Sequence, residues 1–291
     1  MRAASGAITS FDPIGTTATA PESIDTAGAV AGWYVDATNV YRGFVRVAGG
    51  TITRFDAPGA GGGANQGTLA DSIDTAGAVA GRYIDAGNMI HGFVRGPGGV
   101  TTTFDAPGAG TSAYQGTTAV CINAANTITG FYADSSNMTH GFARAPSGTV
   151  TSFDASGAGL GGTRPNCINA AGTIVGWYAD ASDVHHGFVR AANGAITTFD
   201  APGACTTCAG SGTFGACINA AGAIAGYYGD ASNVYHGFER AAGGAITGFE
   251  ASGAGTGAYH GTTALSISNA GAIAGYYVDA SGVYHGFLLT P

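Results

Sequence analysis

Gly226-Tyr227-Tyr228-Gly229-Asp230-Ala231-Ser232-Asn233-Val234-Tyr235-His236-Gly237-Phe238-Glu239-Arg240 holds two strand-like runs around a four-residue polar turn. Asn233 closes that turn. Asn and Gly are the residues that tolerate a positive φ, as a type I turn followed by a left-handed bulge residue requires. The same pattern recurs along the chain. Gly-Phe-x-Arg, or a close variant, starts at Gly43, Gly92, Gly141, Gly187, Gly237 and Gly286, at intervals of 46 to 50 residues. Gly-x-Tyr-x-Asp starts at Gly32, Gly81, Gly130, Gly176, Gly226 and Gly275. Phe-Asp or Phe-Glu falls at Phe11, Phe55, Phe104, Phe153, Phe199 and Phe249. Six repeats therefore account for the chain.

Each repeat carries four strand-like stretches, A to D. In the last repeat they are Thr262–Ile267, Ala272–Asp279 and Val283–Leu289, with Ala7–Asp12 as the fourth. Asn169-Ala170-Ala171-Gly172 joins A to B, and Ala191-Ala192-Asn193-Gly194 joins C to D. No helical period or helix cap interrupts this order. Repeated four-stranded antiparallel units of this length predict an all-β, six-bladed β-propeller. Residues 1–291 form one domain in this reading, and the N-terminal strand (residues 7–12) completes the blade formed by 262–289. Closure of the ring would remove the open sheet edges of a linear array.

Composition agrees. Of 291 residues, 52 are Gly and 9 are Pro, while 45% are apolar and 10% charged, with a net charge of −8. All ten basic residues are Arg. That balance offers no basic footprint for nucleic acid, and no apolar run reaches the roughly 18 residues of a membrane helix. A monomer is expected.

Three-residue turns fix the register, so cross-strand neighbours can be computed. They give the rows Tyr83–His91–Asp105, Tyr132–His140–Asp154, Tyr178–His186–Asp200, Tyr228–His236–Glu250 and Tyr277–His285–Asp12 across strands B, C and D. The first repeat has Tyr34–Arg42–Asp56. A row present in every blade reads as structure: the imidazole satisfies the carboxylate, and the tyrosine hydroxyl can extend the network. On the other sheet face Gly43 lies between Trp33 and Phe55, Gly187 between Trp177 and Phe199, and Gly286 between Tyr276 and Phe11. A ring over a strand glycine compensates for its missing side chain.

Function is expected where the copies differ. The D-to-A connections are the least regular segments and share a face with the B–C turns. Candidates for ligand contact there are Asn65, Gln66, Tyr114, Gln115, Arg164, Tyr259 and His260. They suit a glycan or another polar ligand on a non-catalytic binding propeller. The alternative is a hydrolase or lyase acting on a polysaccharide or small polar substrate. It would gather the unrepeated groups Arg164, His185, Glu239, Glu250 and His260 in one pocket. No cofactor is expected. The B-strand acids Asp36, Asp85, Asp134, Asp180, Asp230 and Asp279 could ring a Ca²⁺ ion, although an Asp opening a turn also accepts the turn amides. Cys205 and Cys208 fit a local disulfide or two free thiols. Cys121, Cys167 and Cys217 share one A-strand position that asks for a small buried residue. Five cysteines exclude a complete disulfide framework. No nucleotide loop, nucleophile elbow or zinc-protease string is present.

The repeat resembles the HAF repeats, a family of extracellular repeat proteins. The resemblance rests on Ile218-Asn219-Ala220-Ala221-Gly222-Ala223-Ile224-Ala225-Gly226-Tyr227-Tyr228, on Asp279-Ala280-Ser281-Gly282-Val283-Tyr284-His285-Gly286-Phe287 and on Ile196-Thr197-Thr198-Phe199-Asp200-Ala201-Pro202-Gly203-Ala204. It spans essentially the whole chain and implies a bacterial, secreted protein. It transfers no catalytic residues. Met1–Ser5 leads straight into a strand-like stretch without an apolar leader segment. The expectation is a secreted protein whose signal peptide lies outside this sequence, with a cytoplasmic location left open.

Overall fold

A computed structural model describes residues 8–291. The chain divides into two compact units, residues 1–105 with 112–114, and residues 106–111 with 115–291. The first unit holds two antiparallel four-strand blocks joined by one parallel pair, Tyr41 with Gly67: β1 (Thr16–Ile24), β2 (Val30–Asp36), β3 (Tyr41–Arg46) and β4 (Ile52–Phe55), then β5 (Gly67–Ile73), β6 (Val79–Ile84), β7 (Ile90–Arg95) and β8 (Thr101–Phe104). The second unit repeats the plan. Its sheets are β9 (Gly116–Ile122) to β12 (Val150–Phe153), β13 (Thr163–Ile168) to β16 (Ile196–Phe199), β17 (Thr213–Ile218) to β20 (Ile246–Phe249), and a last sheet of three strands, β21 (Gly261–Ile267), β22 (Ile273–Val278) and β23 (Tyr284–Leu289). Among the described residues no helix is long and apolar enough to cross a membrane.

The turns carry the chemistry their sequences specify. Asn39, Asn88, Asn137, Asp183 and Asn233 have φ between 59° and 64° and close the B–C turns. Asp180 Oδ1 accepts the amides of Ser182 and Val184, and Asp230 Oδ1 those of Ser232 and Val234. Pairing follows the computed register, with Trp33 opposite Gly43, Gly43 opposite Phe55, and Tyr83 opposite His91.

Sheets pack through a repeated aromatic contact. Phe55 meets Phe93 at 5.9 Å, Phe153 meets Phe188 at 6.1 Å, and Phe199 meets Phe238 at 6.0 Å. A guanidinium caps each stack: Arg95 lies 4.9 Å from the Phe55 ring, Arg190 4.6 Å from Phe153 and Arg240 5.0 Å from Phe199. This cation–π geometry accounts for the recurring C-strand arginines. Phe44, Phe93, Phe142, Phe188 and Phe238 are fully buried, whereas Phe287 of the last sheet is half-exposed.

The N-terminal segment departs from the expected strand. Ala7 lies outside the described residues, Ile8 makes one isolated bridge, and Thr9–Asp12 belong to no strand. Phe11 packs on Phe44 at 5.9 Å with Arg46 over its ring, the same contact the other fourth-strand phenylalanines make. Asp12 accepts the Thr19 hydroxyl.

Candidate functional site

Four of the five histidine rows form; His285 meets Asp279 but not Asp12, which among the described residues accepts the Thr19 hydroxyl instead. His91 Nδ1 lies 2.9 Å from Asp105, His140 Nδ1 2.8 Å from Asp154, and His186 Nδ1 2.9 Å from Asp200; His236 pairs with Glu250 in the same way. The other ring nitrogen faces the B-strand acid, at 3.5 Å for Asp85, 3.6 Å for Asp134 and 3.0 Å for His285 with Asp279. Arg42 bridges Asp36 and Asp56 likewise. With both nitrogens turned toward carboxylates, only the ring face is left for the tyrosine. Tyr83, Tyr132, Tyr178, Tyr228 and Tyr277 therefore stack on the imidazoles at 4.8 to 5.1 Å instead of extending the hydrogen-bond network. The buried member is the histidine, not the acid: side-chain exposure is 11% for His91 and 52% for Asp105. The B-strand acids are engaged by turn amides and imidazoles, and amide hydrogen bonds hold Asp134, Asp180 and Asp279 below the usual carboxylate range. Among the described residues no group of three His, Cys, Asp or Glu side chains is placed to hold a metal ion.

The D-to-A loops lie against the B–C turns, as their lengths suggest. Asn65, Tyr114 and Tyr259 occupy one loop position with φ of 62°, 65° and 63°. Their amides donate to the carbonyls of Asn39, Asn88 and Asn233. Left-handed backbone is costly for a bulky residue, yet both tyrosine rings stand out, 68% and 64% exposed. Gln66 and Gln115 are scaffold. The Gln66 amide nitrogen donates to the Ala86 carbonyl (3.2 Å) and Asn88 Oδ1 (3.0 Å), and Gln115 repeats this on Ser135 (3.3 Å) and Asn137 (3.0 Å). His260 takes the same loop position beside Gly257, with its Nδ1 buried.

Repeat 4 breaks the pattern. The preceding loop is three residues shorter: Ala155 reaches the Thr163 hydroxyl eight residues on, against eleven from Ala57 to Thr68 and from Ala106 to Thr117. Gly161 stands where Gln66 and Gln115 stand in their loops, directly before a glycine of positive φ. The result is a cleft of about 630 Å³ lined by Met138, Ala158, Leu160, Asp180, Ala181 and Asp183. Leu160 is 80% exposed on its wall. The turn that ends in Asn in four other repeats and in Gly282 in the last here ends in Asp183. The next loop, closed by the Cys205–Cys208 disulfide, holds this turn: Gly210 donates to the Asp183 carbonyl, and Ser211 accepts the His185 amide.

Arg164 is not a loop-face group. It lies between the rings of Phe131 (4.9 Å) and Trp177 (5.4 Å), and burial lowers its affinity for a proton. His185 sits against Trp177 at 4.6 Å, and burial draws its imidazole below the usual range. Glu250 belongs to the His236 row, and Glu239 pairs across the sheet from Ala225 and Thr247. Of the titratable set singled out in the sequence, Arg164 and His185 share Trp177 as a neighbour. The A-strand cysteines meet one another: Cys167 Sγ is 2.6 Å from Cys217 Sγ, and contact with Cys121 first and Cys217 second, together with burial, raises Cys167 well above an ordinary thiol. Gly161, Asp183 and Leu160 were missed in the sequence. Their signal was the shortened third loop together with the one Asp at the turn-closing position.

No family model and no curated protein matches the chain. Solved structures do. The BP39L lectin from Burkholderia pseudomallei aligns at 9% identity and a TM-score of 0.57 over 96% of this chain and 84% of that one. AofleA from Arthrobotrys oligospora aligns at 14% identity and 0.53 over 94% and 82%. TolB from Acinetobacter baumannii aligns at 11% identity and 0.52 over 90% and 63%. At these identities the likeness is one of fold: the chain is an all-β protein of the β-propeller type.

Proposed function

We propose that the protein is a non-catalytic carbohydrate-binding propeller that takes sugar between neighbouring B–C turns on its loop side. The observation that carries this is the cleft at residues 155–162. An apolar wall, Leu160 with Met138, lines the cleft together with acceptors from Ala181 and Asp183. A pyranose ring has the matching character, an apolar face ringed by hydroxyl donors, and binding sites join mostly apolar linings to a few placed polar groups. Exposed Tyr114 and Tyr259 offer further stacking faces. A lectin among the structural neighbours makes sugars the first class to test. No cofactor takes part in this reading.

The same reading treats residues 1–291 as one monomeric domain of six blades. Residues 7–12 then supply the fourth strand of the last blade. The packing of Phe11 on Phe44 supports this, because it repeats the contact of the other fourth-strand phenylalanines. The Cys205–Cys208 disulfide suits an extracellular setting, as does the HAF-like repeat, which we take as the family.

A thermal-shift panel of neutral, amino and acidic oligosaccharides tests the function. A ligand of the native state raises the melting midpoint by mass action. The expected result is a shift with at least one sugar that Leu160→Ala abolishes. No shift with any sugar refutes carbohydrate binding, and a shift untouched by Leu160→Ala refutes the location.

A further inference from the structure

Two sister loops show what the empty place in the third loop is built to hold. In the first, the Gln66 amide nitrogen sits on two acceptors of the next turn, the Ala86 carbonyl and Asn88 Oδ1. In the second, the Gln115 nitrogen sits on the Ser135 carbonyl and Asn137 Oδ1. Each time a nitrogen with two protons is shared between a carbonyl and a side-chain oxygen two residues later. The corresponding acceptors in the next turn are the Ala181 carbonyl and the Asp183 carboxylate. The loop opposite them has Gly161, which carries no side-chain donor, and its α-carbon is close enough that an added β-carbon would lie 3.7 Å from Asp183 Oδ1. Among the described residues the Asp183 carboxylate accepts no hydrogen bond; its nearest cationic group is His185 Nε2, at 3.9 Å.

Asp183 also changes the charge of the slot. Its counterparts Asn39, Asn88, Asn137 and Asn233 accept as neutral amides. A carboxylate accepts more strongly from a charged donor, at shorter range. His185 Nε2 stands 3.9 Å from it, beyond hydrogen-bond distance, and burial draws that imidazole below its usual range although Asp183 itself pulls the other way. The slot is thus an acceptor pair with one negative charge, beside the apolar side chains of Leu160 and Met138.

Resting on the carbohydrate reading above, we infer that this cleft selects an amino sugar, its primary ammonium bridging the Ala181 carbonyl and the Asp183 carboxylate as the Gln66 and Gln115 nitrogens bridge theirs. A free amine is required. N-acetylation leaves one proton on the nitrogen and no charge, and a hydroxyl in its place offers one proton.

Isothermal titration calorimetry in mildly acidic buffer tests this with three β-1,4-linked hexasaccharides: glucosamine, N-acetylglucosamine and glucose. The glucosamine oligomer is expected to bind at least tenfold more tightly than the other two. Asp183→Asn installs the residue that four sister turns carry at the same φ, so the fold is preserved. It should remove the preference, bringing the glucosamine oligomer to the affinity of the other two. Leu160→Ala should weaken all three alike and keep their ratio. Equal binding of the three by the native protein, or a preference that survives Asp183→Asn, overturns the amine selection and leaves carbohydrate binding standing. Failure of every sugar to bind overturns both.

Discussion

Gly187→Ala puts a methyl group where the fold has placed a ring. Gly187 pairs with Trp177 on one side and Phe199 on the other. An added β-carbon would stand 2.5 Å from Phe199 Cζ and 2.6 Å from Cε2, where ordinary contact begins at 3.4 Å. The ring would have to retreat by nearly an ångström. It is held from behind by Phe238 at 6.0 Å and capped by Arg240 at 5.0 Å. Overpacking of this kind costs about 1–3 kcal/mol, and alanine recovers about 0.5–1 kcal/mol over glycine in a strand. The mid-range values leave a net loss of about 1 kcal/mol, or a midpoint lower by roughly 2–4 °C in a chain of this size. Thermal and urea melts read it directly. Gly98→Ala is the control, since nothing lies within 4 Å of its added carbon. An unchanged Gly187→Ala melt would refute the idea that the glycine exists to seat the ring. Gly286→Ala carries the test to the last sheet. Its nearest described atom is the Gly275 oxygen at 3.9 Å. If residues 7–12 complete that sheet, Phe11 covers Gly286 and the substitution costs as much as Gly187→Ala. A neutral or stabilising Gly286→Ala beside a costly Gly187→Ala would sink the closing-strand proposal.

Three other outcomes follow from the geometry. His140→Ala removes a half-exposed pair with Asp154 and a stack on Tyr132 at 5.0 Å; the expected loss is about 1 kcal/mol, and an unchanged urea midpoint would show that the rows add nothing to stability. Asp134, Asp180 and Asp279 are held low by the amides of Met138, Val184 and Val283. Their contribution is complete above the ordinary carboxylate value of about 4 and is lost as pH falls through their lower native values. Their part of the melting profile should therefore stay flat down to about pH 4 and drop below it, and an Asn triple variant should lose that drop. Asp71 has the opposite sign: burial pushes it up to about 7, against the Arg82 guanidinium 2.8 Å away and with help from Glu22. The native state keeps a proton the unfolded chain releases, so Asp71 favours folding most at low pH and loses that advantage as pH rises toward about 7. Asp71→Asn should flatten this part of the melting profile, and a profile identical to the native one would refute the assignment.

The repeat, the turns and the register could all be read from the sequence because they are local. Side-chain alternation, a closing Asn or Gly and a fixed turn length act over a few residues, and they are enough to bring His91 to Asp105 and Gly43 under Phe55. The candidate loops were legible as a class for the same reason: loops of irregular length between regular strands are where copies differ. Their individual roles were not. Gln66 and Gln115 looked like ligand groups but satisfy turns 20 to 22 residues away. Arg164 looked exposed but lies between rings from two different repeats. The tyrosines of the rows stack instead of donating, since each imidazole meets a second acid on its own sheet. The cleft itself is defined by an absence, a glycine where two sister loops carry glutamine. From residue 16 onward the sequence alone thus determined the strands, their order and their pairing, through forces acting along and between adjacent strands. Only the tertiary structure decided which polar groups remain free, because that depends on which distant segment reaches a given acceptor first.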